Sequence, residues 1–259
     1  MSFRPLSVLT AAEHDSIARL LQSDPILSFY WTTAIEDLAL GIDNRLARIC
    51  AGGRGAIIGA IFGDLTVFSP LGQIANADIA ACTAWPGAVE VHAPLHEAER
   101  YRLFSGRRLL QARQMIVMEC DLSGVRYAGA ICRALHISDA DRVASFYRSH
   151  YPDTLFDPYM LAMPFVGVFE GSNLVACAGT IALSGKLRAA LIGHFVTAPT
   201  ARNRGLARDV GSCLLDMLRQ RGIASAYLAT TADNMAALRV YGRLGFAVAD
   251  RRCQIDLMP

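Results

Sequence analysis

Phe195-Val196-Thr197-Ala198-Pro199-Thr200-Ala201-Arg202-Asn203-Arg204-Gly205-Leu206-Ala207 is the stretch on which the fold turns. Its first residues close an apolar run that begins at Arg188, and Pro199 ends that strand because proline cannot donate a ladder hydrogen bond. From Leu206 onward, apolar residues recur at Val210, Cys213, Leu214, Met217 and Leu218, the spacing of one helical face, and Arg219, Arg221 and Gly222 supply a C-terminal signal. A strand therefore passes into a helix through a basic loop containing glycine. The first N–H groups of a helix have no intrahelical partner and lie at the positive end of its dipole, so this loop suits an anion such as a pyrophosphate. Gly205 and Ala207 leave room for phosphate oxygens to approach the backbone, and Arg202 and Arg204 add charge.

Downstream, residues 226–229 read as a buried strand, 234–244 as a helix stopped by Gly245, and 246–257 as a closing strand. Upstream, residues 131–135 read as a strand, and Ser138 followed by Asp141 as the start of a helix through about Tyr147. Residues 165–169 and 174–183 form a hairpin around Glu170-Gly171-Ser172-Asn173, and Ser184-Gly185-Lys186 makes the next turn. The pattern predicts an α+β domain with a central mixed sheet flanked by helices.

The loop resembles the R/Q-x-x-G-x-G/A signature of the GNAT superfamily of N-acetyltransferases, carried here by Arg202, Gly205 and Ala207. Asn234-x-x-Ala237-x-x-x-Tyr241-x-x-x-Gly245-Phe246 resembles that family's second cofactor motif, and the element order extends the likeness over roughly residues 129–257. The resemblance implies a GNAT-like fold with acetyl-CoA as cosubstrate. It implies that the backbone N–H groups of Asn203, Arg204, Gly205, Leu206 and Ala207 hold the pyrophosphate and that Asn234, one helical turn from Ala237, touches the pantetheine arm. Phe195, Val196 and Thr197 would align the thioester, and Tyr241 would be the general acid. The chemistry agrees: an amine attacks the thioester, and the departing thiolate must be stabilised or protonated. A phenol with pKa near about 10 stays protonated at neutral pH and can donate to it.

An ammonium acceptor must lose a proton before attack, so a base or a water relay is expected. His194, on the strand before the loop, is the candidate; its neighbours Ile192, Gly193 and Phe195 include no carboxylate. Tyr147, His150, Tyr151, Phe156 and Tyr159 gather near Asp153 and Asp157, a composition that suits a cation through aromatic faces and charge pairing, or one that simply covers the core.

The N-terminal half repeats the opening of the C-terminal one: residues 9–20 align with 135–146, sharing leucine, acidic, β-branched and alanine positions. Two tandem GNAT-like domains are predicted, 1–124 and 125–259, with the boundary near Ser123 to Arg126 after a strand at 115–118. In the first domain Gln73, Asn76 and Asp78 fall opposite Arg202, Gly205 and Ala207. A carboxylate at position 78 would repel a pyrophosphate, and no companion of the Asn234 and Tyr241 motif exists there, so that half is expected to be degenerate, with structural, acceptor-shaping or dimerising jobs.

Composition narrows the rest. The 259 residues are 53% hydrophobic, enough for two cores, and 25 Lys and Arg against 23 Asp and Glu leave +2, too little charge to call for nucleic acid. Mean hydropathy is +0.30, but runs such as residues 56–62 are too short to span a bilayer and read as buried strands. The first residues lack the apolar core of a secretory signal, so a cytoplasmic protein is expected. Seven cysteines without a CxxC pair argue against a disulfide framework or zinc knuckle. Gly52, Gly53, Gly55 and Gly59 lack nucleotide-loop spacing and read as a hairpin turn. Pro94 between His92 and His96 disfavours a helical metal pair, so no metal is assigned. The expected activity is direct acetyl transfer from acetyl-CoA to a primary amine of a small molecule or peptide, without nucleic-acid or membrane partners and compatible with a homodimer. The alternative is an inactive acyl-CoA-binding regulatory or scaffolding protein.

Overall fold

The computed structural model describes residues 3–22, 24–50, 53–104, 106–123, 132–152 and 154–258. Each half of the chain opens with the same device. In the first, a short strand β1 (Arg4–Pro5) leads to helix α1 (Ala11–Leu21), where Glu13 accepts from the Thr10 N–H at 2.9 Å and the Thr10 hydroxyl accepts from the Glu13 N–H at 3.3 Å. In the second half, β7 (Arg133–Ala134) leads through a 3-10 turn (Ile137–Asp139) into α5 (Ala140–His150), and Asp139 accepts from the His136 N–H at 3.1 Å. A carboxylate three residues on thus satisfies an orphan donor in both. An arginine of the preceding strand pairs with it each time, Arg4 with Glu13 and Arg133 with Asp139. The helix start was expected at Ser138 and Asp141; instead a 3-10 turn opens at Ile137, because it is Asp139 that reaches back to the free amide, and α5 itself begins at Ala140.

Two compact units result, Met1–Ile116 with Asp250–Pro259, and Val117–Ala249. The first holds α2 (Pro25–Ala39), β2 (Arg45–Ile49), β3 (Gly55–Phe62), β4 (Leu65–Gly72), α3 (Asn76–Thr83), β5 (Ala88–Pro94) and α4 (Ala98–Phe104) beside β1 and α1. β6 (Arg108–Asp121) begins in the first unit and ends in the second. The second continues with β8 (Phe165–Glu170), β9 (Asn173–Ser184), β10 (Ala189–Thr197), α6 (Leu206–Gln220), β11 (Ser225–Thr231) and α7 (Met235–Arg243), and β12 (Ala247–Met258) returns to the first.

Pairing repeats between units. β1, β2, β3 and β4 pair antiparallel in turn and β4 pairs parallel with β5. Likewise β7, β8, β9 and β10 pair antiparallel in turn and β10 pairs parallel with β11. The sequence repeat is therefore a repeat of topology. The closing strands are exchanged: β5 pairs antiparallel with β12, from Val89↔Leu257 to Pro94↔Arg252, while β11 has β6 as its outer neighbour. β6 is longer than the strand expected at 115–118, because polar Gln111 and Arg113 stay in the ladder by bonding Asp256 at 2.7 and 3.0 Å. Gly124 to Arg126, where the boundary was expected, lie outside the described residues, as do Ile131, Gly52 and Asp153.

Strand alternation supplies two apolar faces in the first unit. Ile17, Leu21, Leu27 and Trp31 of α1 and α2 meet Ala56, Ile58 and Leu71, whereas Ile79 of α3 and Tyr101 of α4 meet Ile57, Phe68, Val89 and Val91. In the second unit the amphipathic α6 buries Val210, Leu214, Leu215 and Leu218. Among the described residues no helix is long and apolar enough to cross a membrane.

Candidate active site

After β10 the chain makes a 3-10 turn (Pro199–Ala201) and enters α6 through Asn203 at φ 62° and Gly205 at φ 82°. A Cβ at Gly205 would meet nothing within 4 Å, so glycine is required there for its left-handed backbone and not for space. The Ala201 N–H bonds Ala198 O at 2.8 Å, and backbone bonding resumes at Arg208, which donates to Gly205 O at 2.9 Å. Between Arg202 and Arg208, the amides of Asn203, Arg204, Gly205, Leu206 and Ala207 have no acceptor among the described residues. Five donors at the positive end of a fifteen-residue helix make a concave anion seat. The sequence placed the pyrophosphate on these same residues. Arg202 is tied to Thr197 O at 3.3 Å and Arg204 pairs with Glu170 at 2.5 Å, so Arg204's charge is partly neutralised.

The pairing of the strand before the loop is broken at three places, one of them a register shift against β9 between Leu191 and Ile192. Its parallel ladder with β11 covers only Ala189↔Ser225 to Leu191↔Tyr227, although β10 continues to Thr197 and β11 to Thr231. Its ladder with β9 passes from Gly193↔Gly179 to Val196↔Cys177, so His194 and Phe195 oppose one residue, a β-bulge with His194 at φ 57°. Phe195 faces α6 and α7: its ring stands edge-on to Tyr241 at 5.2 Å and lies against Gly211, where a Cβ would come within 2.4 Å of Leu244. Gly211 was missed in the sequence, since a glycine inside an amphipathic helix signals close approach only once its neighbours are known.

His194 turns the other way. Its ring lies among Tyr147 of α5, Phe156 and Phe165, Nδ1 is 3.0 Å from the Thr154 hydroxyl, and Nε2 is buried with no hydrogen-bond partner among the described residues. Burial lowers its pKa to about 4. The imidazole is then neutral at pH 7, with its free nitrogen sealed from water. A histidine depressed in the folded state favours folding above its unfolded pKa, near about 6.5, and that contribution is lost as pH falls toward the folded value. A ring-proton NMR titration should place the His194 midpoint near 4; a midpoint near 6.5 would show an open imidazole.

Tyr241 lies on α7, which Asn234 caps by accepting the Ala237 N–H at 3.1 Å. The tyrosine is only 7% exposed and packs between Phe195 and Phe246, yet its hydroxyl makes no hydrogen bond among the described residues. Burial, and secondarily Tyr151, push its pKa well above the ordinary phenol value, so it is a proton donor at neutral pH. Val196 is buried against Cys177, Thr197 pairs with Ala176, and Asn234 is exposed. The structure thus brings Phe195 and Tyr241 together and sends His194 to the opposite face. Of the aromatic group expected to shape a pocket, Tyr147 and Phe156 pack around His194, Tyr151 and Tyr159 are exposed, and Asp157 caps the turn at Tyr159.

The corresponding place in the first unit is built differently. β3 and β4 pair without a bulge from Gly55↔Gly72 to Phe62↔Leu65. Asp78 does not point into the space before α3 as expected; it is 5% exposed and accepts from Arg48 at 2.9 and 2.8 Å. Arg100 lies over the start of α3, bonded to Ile74 O at 2.6 Å and Asn76 at 3.0 Å. His92 bonds Glu90 on β5 while His96 sits in a separate turn, and among the described residues no group of three or more metal-ligating side chains occurs.

Residues 133–246 match the model of the acetyltransferase (GNAT) family. A mycothiol acetyltransferase of Nocardia farcinica is 47% identical over 51 residues, 20% of this chain and 17% of that protein, so the chain spans only a small part of its length in this match. A Drosophila protein of known crystal structure superposes with TM-score 0.71 at 14% identity, over 99% of this chain and 98% of its own. A tandem GNAT protein from the clavulanic acid biosynthesis pathway does so at 0.63 and 13% identity, over 99% and 98%. Residues 133–246 are thus similar in sequence to the acetyltransferase (GNAT) family, and nearly the whole chain is similar in fold to solved proteins that include a tandem GNAT protein.

Proposed function

We propose that this chain is an acetyltransferase that moves acetyl from acetyl-CoA to a primary amine of a small molecule or peptide by direct attack. The observation that carries the reading is the row of five amides, Asn203 to Ala207, at the start of α6, which have no acceptor among the described residues, with the Tyr241 ring, whose hydroxyl is likewise unbonded among them, packed against Phe195. Those amides fit a pyrophosphate, and Phe195 to Thr197 and Asn234 would flank the rest of the cosubstrate. Acetyl-CoA supplies an activated acetyl thioester. Tyr241 holds a proton for the leaving sulfur, since burial keeps the phenol neutral. Phe195 and Phe246 fix its ring and exclude water from it.

In this reading the first unit is a degenerate repeat that binds no CoA, because Arg100 and the Asp78–Arg48 pair satisfy internally what a phosphate would otherwise meet. All seven cysteines are free thiols, which suits a reducing compartment such as the cytoplasm. One observation favours an acyl-CoA-binding scaffold instead: His194, the base candidate, is sealed and hard to protonate. The deciding assay is CoA thiol release from acetyl-CoA across a library of primary amines, with acetylated products identified by mass. Turnover with any of them supports the enzyme; binding of acetyl-CoA with no turnover supports the scaffold.

A further inference from the structure

With His194 neutral and buried, the second unit needs another group to receive a cationic acceptor, and β6 carries one. Cys120 Sγ lies 3.7 Å from Leu244 O at the end of α7, and a Cβ on Gly245 would touch it at 3.5 Å. Cys120 therefore faces α7, and strand alternation turns Glu119 to the opposite face, the side on which His194 meets α5. On the neighbouring strand β11, Ala226 and Leu228 are fully buried, and Tyr227, itself only 8% exposed, donates its hydroxyl to Glu119. Two residues on, Ala229 is exposed in mid-strand, so this face of the sheet is open to solvent there. Leu191↔Tyr227 is also the last rung of the β10–β11 ladder. Glu119 thus sits beside the residue at which the two strands stop pairing.

Among the described residues the Glu119 side chain has no arginine, lysine or histidine partner; it accepts from the Tyr227 hydroxyl. A half-buried carboxylate without a counter-charge is unfavourable, and a cation arriving beside it is stabilised accordingly. The first unit shows the contrast. There β5 and β12 occupy the places of β11 and β6, and their carboxylates already have partners: Glu90 is hydrogen-bonded to His92 and to Gln254 at 2.8 Å, and Asp256 is paired with Arg113 at 3.0 Å.

We propose that Glu119, on the strand contributed from before the repeat boundary, binds the ammonium group of the acceptor, with the Tyr227 ring as its aromatic wall. This rests on the acetyl-CoA reading above and extends it, and it makes the catalytic unit incomplete without β6. The test needs no knowledge of the natural acceptor. S-(ω-aminoalkyl)-CoA thioethers present a positive charge beyond the sulfur, and their S-alkyl counterparts of equal length do not. Calorimetry on the full chain should give the best-fitting aminoalkyl compound about tenfold tighter binding than its neutral counterpart, the size expected of a half-buried ion pair. Glu119→Gln should erase that preference while binding the S-alkyl compound as wild type does, which also confirms its folding. Equal binding of charged and neutral compounds by wild type, or a preference that survives Glu119→Gln, overturns the proposal. Failure of every CoA compound to bind is a different result, and removes the cosubstrate reading beneath it.

Discussion

Gly205→Glu is expected to abolish measurable acetyl-CoA binding while leaving the protein folded. Two effects add. The backbone at φ 82° accepts a side chain only with strain of about 1–2 kcal/mol, although no neighbour lies within 4 Å to clash. The larger effect is a carboxylate beside the five amides. Like charges roughly 4 Å apart at an effective dielectric near 20 repel by about 4 kcal/mol, or about a thousandfold in affinity. Gly205→Ala separates the two, since it carries the strain without the charge and should bind acetyl-CoA within about tenfold of wild type. Calorimetric titration of both variants checks this; equal affinity of Gly205→Glu and Gly205→Ala would move the pyrophosphate elsewhere.

Tyr241→Phe should lower kcat about 100-fold with acetyl-CoA affinity within about twofold, because in the proposed reaction the hydroxyl acts on the leaving sulfur and not on the resting cosubstrate. The hydroxyl has no hydrogen-bond partner among the described residues, so its removal orphans nothing, and the ring contacts with Phe195 and Phe246 survive. Thermal stability should therefore match wild type, which distinguishes loss of chemistry from loss of fold. Steady-state kinetics on an amine found in the library assay provide the measurement. An unchanged rate across pH would remove Tyr241 as the acid.

The geometry of the loop before α6 was legible because it depends on local chemistry. Pro199, the left-handed Gly205 and the apolar period from Leu206 are each fixed within a few residues, and the five amides lie where those signals put them. The repeat was legible for the same reason, since residues 10–13 and 136–139 both encode a cap, although Ser138 disguised which residue makes the second one. What sequence did not carry depends on contacts far along the chain. Nothing in Ile192 to Phe195 announces the bulge that turns His194 away from Tyr241 into a cage with Thr154. Nor does anything in residues 108–121 or 247–258 reveal that each strand ends in the other unit. Glu119 becomes meaningful only through that exchange, which sets it beside Tyr227, more than a hundred residues later.

In the proposed function one unit of this repeat, and only one, is a CoA site. The most direct test is the stoichiometry of acetyl-CoA bound to the wild-type chain, by calorimetry on protein freed of copurified CoA. One molecule per chain is the expected result, through the amides of Asn203 to Ala207. Two per chain would show that the first unit still binds despite Arg100 and Asp78, and none would reduce the likeness to one of fold.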